Sequence, residues 1–441
     1  MTNIKFLNKI INSLYLIGLL IFINIYLAGE ASKLSQCCDV QSYINDSFNI
    51  FGGKIDTSTL HNYGYPTFIK IISYLGAKTN YKIAVISVSL LLISALLFAN
   101  TCKKYFVIKN NYLYSTVLVF CIPISYGFSG FFLTEAITPI LFFLLLNLIV
   151  ITYFNSSTNT KTIEYLLIIA ISSFTWMVRP AYLWLPFFLI FWLNLTNKTN
   201  LADILKKLLL SLVTIIIIVL PQYISVTTQP TKYLRPILDG VLRLNLAQGQ
   251  TEWSKNIYRY ATNVSSCGTQ SLNFSPNNLT IGQATNENYS YNIFEMFKTY
   301  LLHIVSGWDA LPGPSYIQSI SYFPWIFVTI FSGFFIASPI VLLFLLFSKR
   351  VNLQNTERKF AFTLLALFLA SQIVLLNTAT EFRFNIFGWM VSGLIWIFLI
   401  AVLKVNLKTK PTVMLVLILT LTIVAIGQYT LNLSDVWRSC V

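Results

Sequence analysis

The sequence predicts an all-α polytopic membrane protein with about eleven transmembrane helices and two large external loops. Three observations carry this. Hydrophobic residues fill 56% of the 441 positions and charged residues only 10%. Mean hydropathy is +0.69. Apolar runs of span length recur along the chain, and lysine and arginine cluster in the short connections between them. A soluble domain does not need that much apolar surface, whereas each bilayer-crossing helix needs about 20 such residues.

The first span is read at 10–28, preceded by Lys5 and Lys9, which hold the N-terminus in the cytoplasm. A cleaved signal peptide is the alternative, but no convincing small-x-small cleavage site follows and the apolar run is long, so it is read as a retained helix. Further spans are expected at 83–99, 114–126, 136–153, 164–178, 182–195 and 208–226, then at 322–347, 360–376, 386–403 and 413–429. The first external loop covers 29–82, with an interfacial helix over 65–75. The second covers 227–321 and is rich in Asn, Ser, Thr and Tyr; 293–305 is read as an amphipathic helix lying on the membrane surface. The chain thus divides into an N-terminal membrane module at 1–226, an external segment at 227–321 and C-terminal helices at 322–441.

The net charge of +15 raises nucleic acid as a partner, but its distribution argues against it. Lys103, Lys104 and Lys109, then Lys161, then Lys198, Lys206 and Lys207 fall in connections that alternation makes cytoplasmic. So do Lys349, Arg350, Arg358 and Lys359, and finally Lys404, Lys408 and Lys410. The short external connections hold only Arg179 and Arg383, with Arg438 in the tail. That is the asymmetry expected of inside and outside loops. No CxxC pair is present, and the two histidines, His61 and His303, are too few for a histidine metal cluster. Cys37, Cys38, Cys267 and Cys440 fall in segments read as external, where a disulfide can persist, with its pairing open.

Polar residues with chemical potential gather on the external face. They are Asp39 and Tyr43 in the first loop, Tyr65 beyond them, Glu135 in a short connection, Arg179 before Pro180, and Glu381 with Arg383 in a late connection. Acids can take a proton from an acceptor hydroxyl or amine, and guanidinium groups can grip a phosphate leaving group through paired hydrogen bonds. Each also has a plainer explanation. Asp39 can be a solvated residue or a local cap, Glu135 an interfacial acid, Arg179 a snorkelling side chain, and Glu381 and Arg383 a surface ion pair.

Taken together, Asp39 with Tyr43, Gly64-Tyr65-Pro66-Thr67-Phe68, the Glu135 connection, Arg179-Pro180 and Glu381-Phe382-Arg383-Phe384 resemble the GT-C glycosyltransferases. The nearest branch is that of protein O-mannosyltransferases, aminoarabinose transferases and related bacterial enzymes. The resemblance covers the first loop to about residue 195, and the late connection less fully; the 227–321 segment has no counterpart in it. It implies a catalytic first-loop acid, a polyprenyl-phosphate sugar as donor, and transfer with inversion on the outer face. The mannosyltransferase-like members carry Asp-Glu where this chain has Asp39-Val40, so the second acid is Asp46 or Glu135, or is dispensable.

The expected activity is therefore transfer of a sugar from a polyprenyl-phosphate donor to a lipid, glycan or protein acceptor at the bacterial inner membrane, with a periplasmic or extracellular active site. Asp39 is the expected general base and Glu135 the residue that orients it or the acceptor. Arg383 and Arg179 hold the phosphate, while Tyr43, Tyr65 and Glu381 face the substrate. No cofactor is expected; a divalent metal is compatible with the chemistry but not indicated, and nucleic acid is not a partner. Two other readings compete: an O-antigen polymerase or ligase working through Arg235, Arg243 and Arg259, and a transporter or flippase without chemistry. Charge-poor span interiors and the absence of a visible repeat weigh against the transporter.

Overall fold

The computed structural model describes residues 43, 44, 47, 63–76, 80–106, 136–155, 161–196, 201–227, 304, 307, 308, 323–347, 353–376, 385–403, 414, 415, 417–423 and 425. Spans 10–28 and 114–126 lie outside them, as do Asp39, Glu135, Glu381, Arg383 and the four external cysteines. Among the described residues there is no strand. The helices are α1 (Gly64–Tyr74), α2 (Asn80–Tyr105), α3 (Thr138–Phe154), α4 (Lys161–Val178), α5 (Trp184–Thr196), α6 (Leu201–Thr227), α7 (Phe323–Phe347), α8 (Asn355–Leu376) and α9 (Ile386–Ala401). Three stretches are long and apolar enough to cross a membrane: Tyr81–Tyr105, Leu201–Pro221 and Asn355–Leu376. Shorter apolar stretches fill α3, α4, α5, α9 and the second half of α7. This is the helical, membrane-type architecture that composition predicts.

The chain forms two compact units, the first from Met1–Leu234 with Gln354–Phe360, the second from Arg235–Leu353 with Ala361–Val441. In the first unit α4 is the hub, packing against α1, α3, α5 and α6, while α2 packs on α1 and α3. α3 is apolar all round and buried along most of its length, as a helix enclosed by neighbours must be. The hydroxyls of Ser172, Ser173 and Thr175 in α4 are satisfied by carbonyls three or four residues back, at 3.0, 2.7 and 2.7 Å, so the helix can be buried without orphaned side-chain donors there. α6 is different. Leu201, Leu205, Leu209, Leu212, Ile216 and Leu220 leave an apolar stripe uncovered, which suits lipid tails and not water.

Local sequence explains the boundaries. α1 buries Tyr65, Phe68, Ile69 and Ile72, a helical spacing, and exposes Ile71, Tyr74 and Leu75. Pro66 stands in its first turn, where the missing N–H has no helical acceptor to lose. α4 stops at Val178 because Arg179 precedes Pro180, whose ring disfavours helical geometry in the residue before it. A 3₁₀ turn at Pro180–Tyr182 follows, closed by the Tyr182 N–H donating to the Arg179 carbonyl at 3.0 Å. α8 opens with Glu357 accepting from the Gln354 N–H at 2.9 Å, half of a capping box. In the second unit α9 is buried from Ile386 to Leu399 and packs on α7. There the Trp396 indole donates to the Phe334 carbonyl at 2.7 Å while the two rings stack with centroids 4.7 Å apart.

Candidate functional site

α1 is drawn onto the end of α4 at Gly64. A Cβ there would stand 2.6 Å from the Met177 carbonyl carbon and oxygen and from the Val178 nitrogen, so only glycine lets the two backbones meet. Arg179 is the next residue of α4's chain. It is 7% exposed, and its N–H donates to the Thr175 carbonyl at 2.9 Å as the last helical bond. A guanidinium beside a helix C-terminus is favoured by the exposed carbonyls there. Burying it this deeply requires further partners.

Tyr65, 1% exposed, takes the edge of the Tyr43 ring at a centroid distance of 5.0 Å and an interplanar angle of 89°. Tyr65 also stacks with Phe68 at 6.1 Å. Tyr43, four residues after Asp39 in sequence, thus packs on α1. Tyr63, just before α1, donates its hydroxyl to the Ile218 carbonyl of α6. Burial pushes that hydroxyl's pKa up to about 12, so it keeps its proton and remains a donor at physiological pH. The start of α3 comes to the same end. Ala136, Ile137 and Thr138 are buried, and the Phe142 ring meets Tyr182 of the 3₁₀ turn edge-on at 5.0 Å. Glu135, which precedes Ala136 in sequence, lies outside the described residues.

Tyr43, Tyr65 and Arg179 are therefore gathered at one end of the first unit. Asp39 and Glu135 adjoin that end in sequence and lie outside the described residues, as do Glu381 and Arg383 in the other unit. Tyr65 is buried against Tyr43 and Phe68. Among the described residues no three His, Cys, Asp or Glu side chains assemble into a metal-binding group.

The opposite end of the first unit collects the basic connections. Phe106, just after Lys103 and Lys104, packs on Phe154 and Phe360 at 5.3 and 5.8 Å, and Phe360 directly follows Arg358 and Lys359. The Lys207 ammonium lies 5.9 Å from the Tyr165 ring centroid. Beside them runs a polar network that sequence reading had not singled out. Asn155 donates to Glu164 at 3.0 Å, Asn194 and Ser211 donate to the Tyr165 hydroxyl at 3.1 and 2.9 Å, and Tyr153 bonds Thr196 at 3.0 Å. A second missed network lies in the other unit, among Trp308, Gln372 and Asn385. Gln372 carried a readable signal, being an amide within an otherwise apolar span.

Comparisons with family models, with curated proteins and with solved structures find no match to this chain.

Proposed function

We propose that the chain is an inverting, multi-pass membrane glycosyltransferase that moves a sugar from a polyprenyl-phosphate donor to an acceptor on the outer face. The observation that carries this reading is the gathering of Tyr43, Tyr65, Arg179 and the start of α3 at one end of the first unit, opposite the basic connections. Basic residues mark the cytoplasmic side, so the opposite end is the external one, and the remaining expected spans complete a count of about eleven.

The roles follow from the chemistry. The Asp39 carboxylate accepts the proton of the acceptor hydroxyl or amine as that atom attacks the anomeric carbon. The bond from that carbon to the phosphate oxygen breaks from the opposite face, and its electron pair leaves with the lipid phosphate. Arg383 and Arg179 stabilise the phosphate through charge-assisted hydrogen bonds. Glu135 orients Asp39 or the acceptor, and Tyr43 and Glu381 face the substrate. A phosphate already leaves as a stabilised anion, so the step as written needs no metal.

The test is transfer by Asp39→Asn in membranes at matched protein level. Asn keeps shape and hydrogen bonding but cannot accept the proton, and the expected loss is on the order of 10²–10⁴-fold. Near-normal turnover removes Asp39 from the mechanism. Lipid-linked sugars extracted from a deletion strain identify the donor, because the unused species accumulates.

A further inference from the structure

The basic end of the first unit carries a charge arrangement that its helices do not need for folding. Lys103 and Lys104 close α2, while Arg358 and Lys359 stand near the start of α8, within the part of that helix that belongs to the first unit. Phe106, just after the α2 pair, meets Phe360, just after the α8 pair, at a centroid distance of 5.8 Å. Phe154, the last residue of α3, packs on both rings, at 5.3 Å from Phe106 and 5.1 Å from Phe360. Phe106 and Phe360 are buried, whereas Lys103, Lys104 and Arg358 are exposed and Lys359 is half-buried. The aromatic triad thus fixes two basic pairs, from distant parts of the chain, at one place on the surface.

The helices themselves account for only one of the pairs. Lys103 and Lys104 lie in the last turn of α2, where exposed carbonyls favour a cation. Arg358 and Lys359 lie at the opposite kind of end, where the helix dipole disfavours one. Like charges brought together also repel each other. Two carboxylates in the neighbourhood are engaged elsewhere. Glu357 accepts from the Gln354 N–H at 2.9 Å, and the buried Glu164 accepts from Asn155 at 3.0 Å. An anion seated among the four cations relieves both penalties, and a guanidinium can hold a phosphate through paired hydrogen bonds.

The exposed face of α2 indicates what carries that anion. Leu90, Ile93 and Leu97 form an apolar stripe at helical spacing, and Lys104 stands on the same face two turns beyond Leu97. The Lys104 ammonium lies 5.0 Å from the Tyr105 ring centroid. An acyl-chain surface that ends in a cation beside a tyrosine matches the boundary between lipid tails and headgroups. We propose that Lys103, Lys104, Arg358 and Lys359 form a binding site for the phosphate headgroup of one anionic phospholipid, whose acyl chain lies along the Leu90–Leu97 face of α2. The site does not depend on the glycosyl-transfer reading.

The experiment uses the full chain in phosphatidylcholine nanodiscs containing phosphatidylglycerol, with the retained phosphatidylglycerol counted by native mass spectrometry. One tightly held molecule per chain is expected. A cation near an anionic lipid strengthens binding about five-fold, so Lys103→Ala with Lys104→Ala should raise its Kd about twenty-five-fold. Arg358→Ala with Lys359→Ala should do the same, and to the same molecule. Lys103→Arg with Lys104→Arg keeps the charge and should keep the lipid. Lys70→Ala with Lys206→Ala removes equal charge from α1 and α6 and should leave Kd unchanged.

If the two alanine pairs release different lipids, or if the Lys70 and Lys206 control weakens binding as much as they do, the shared site is overturned. Loss of the lipid from the arginine variant also overturns it, because charge is then not what holds the headgroup. Inorganic phosphate, added to chains in pure phosphatidylcholine discs, tests the lipid itself. It is expected to give no shift in Tm, whereas phosphatidylglycerol raises Tm in a manner that the alanine pairs abolish. Equal stabilisation by inorganic phosphate assigns the cations to a soluble anion and overturns the phospholipid.

Discussion

Gly64 shows what a single position can decide. It lies in the Gly64-Tyr65-Pro66 motif, readable as a short signature, yet its reason is a backbone contact with Met177 and Val178, more than a hundred residues away. Those neighbours are main-chain atoms that cannot swing aside. Gly64→Ala is therefore expected to destabilise the protein by about 1–3 kcal/mol, the usual cost of overpacking. Thermal unfolding in detergent checks this against Ile71→Ala, a change on the exposed face of the same helix. If Gly64→Ala melts no lower than Ile71→Ala, the two backbones are not in contact. Arg179 belongs to the same scale. One plain explanation for it was a side chain snorkelling to water, but at 7% exposed it is enclosed.

At the scale of the element, a helix over 65–75 was legible as an interfacial one, and α1 forms at Gly64–Tyr74. Its apolar spacing says which face is buried but not against what. The structure supplies α2 and α4 as the covering helices, with Tyr63 tying the segment to α6. Tyr63→Phe removes that hydrogen bond and is expected to cost about 0.5–1.5 kcal/mol. The pH dependence has a definite sign. Because the hydroxyl's pKa rises from 10.0 unfolded to about 12 folded, its contribution is complete below pH 10 and is lost as pH climbs toward 12. The stability gap between wild type and Tyr63→Phe, measured by denaturant unfolding, should be constant below pH 10 and shrink above it. A gap that persists unchanged to pH 12 assigns the effect to packing.

For the whole molecule, charge and geometry make one joint statement. The connections holding Lys103, Lys104, Lys207, Arg358 and Lys359 converge on one end of the first unit, and Tyr43, Tyr65 and Arg179 converge on the other. Reporter fusions after Asn110, Lys207 and Lys359 should report the cytoplasm, while those after Asn62, Asn277 and the C-terminus should report the outside. An external signal at Lys207 breaks the alternation and removes Arg179 from the proposed site.

Hydropathy and charge along the chain determined the helical class, the approximate helix bounds and the grouping of basic connections. These are local properties: an apolar run of span length is helical in lipid whatever surrounds it, because no water is there to satisfy its backbone. The expected span 83–99 emerges as Asn80–Tyr105, and 208–226 as Leu201–Thr227, lengthened at ends where polar residues extend the helix past the apolar run. Which faces meet was decided only by the tertiary structure. Trp308 read as one aromatic residue in a polar segment, and Gln372 and Asn385 as scattered amides. Their joining depends on Gly307 and Trp308 meeting α8 and the start of α9, with Gly388 clearing the space. Such pairings are set by packing between residues far apart in sequence, and no window of sequence contains both partners.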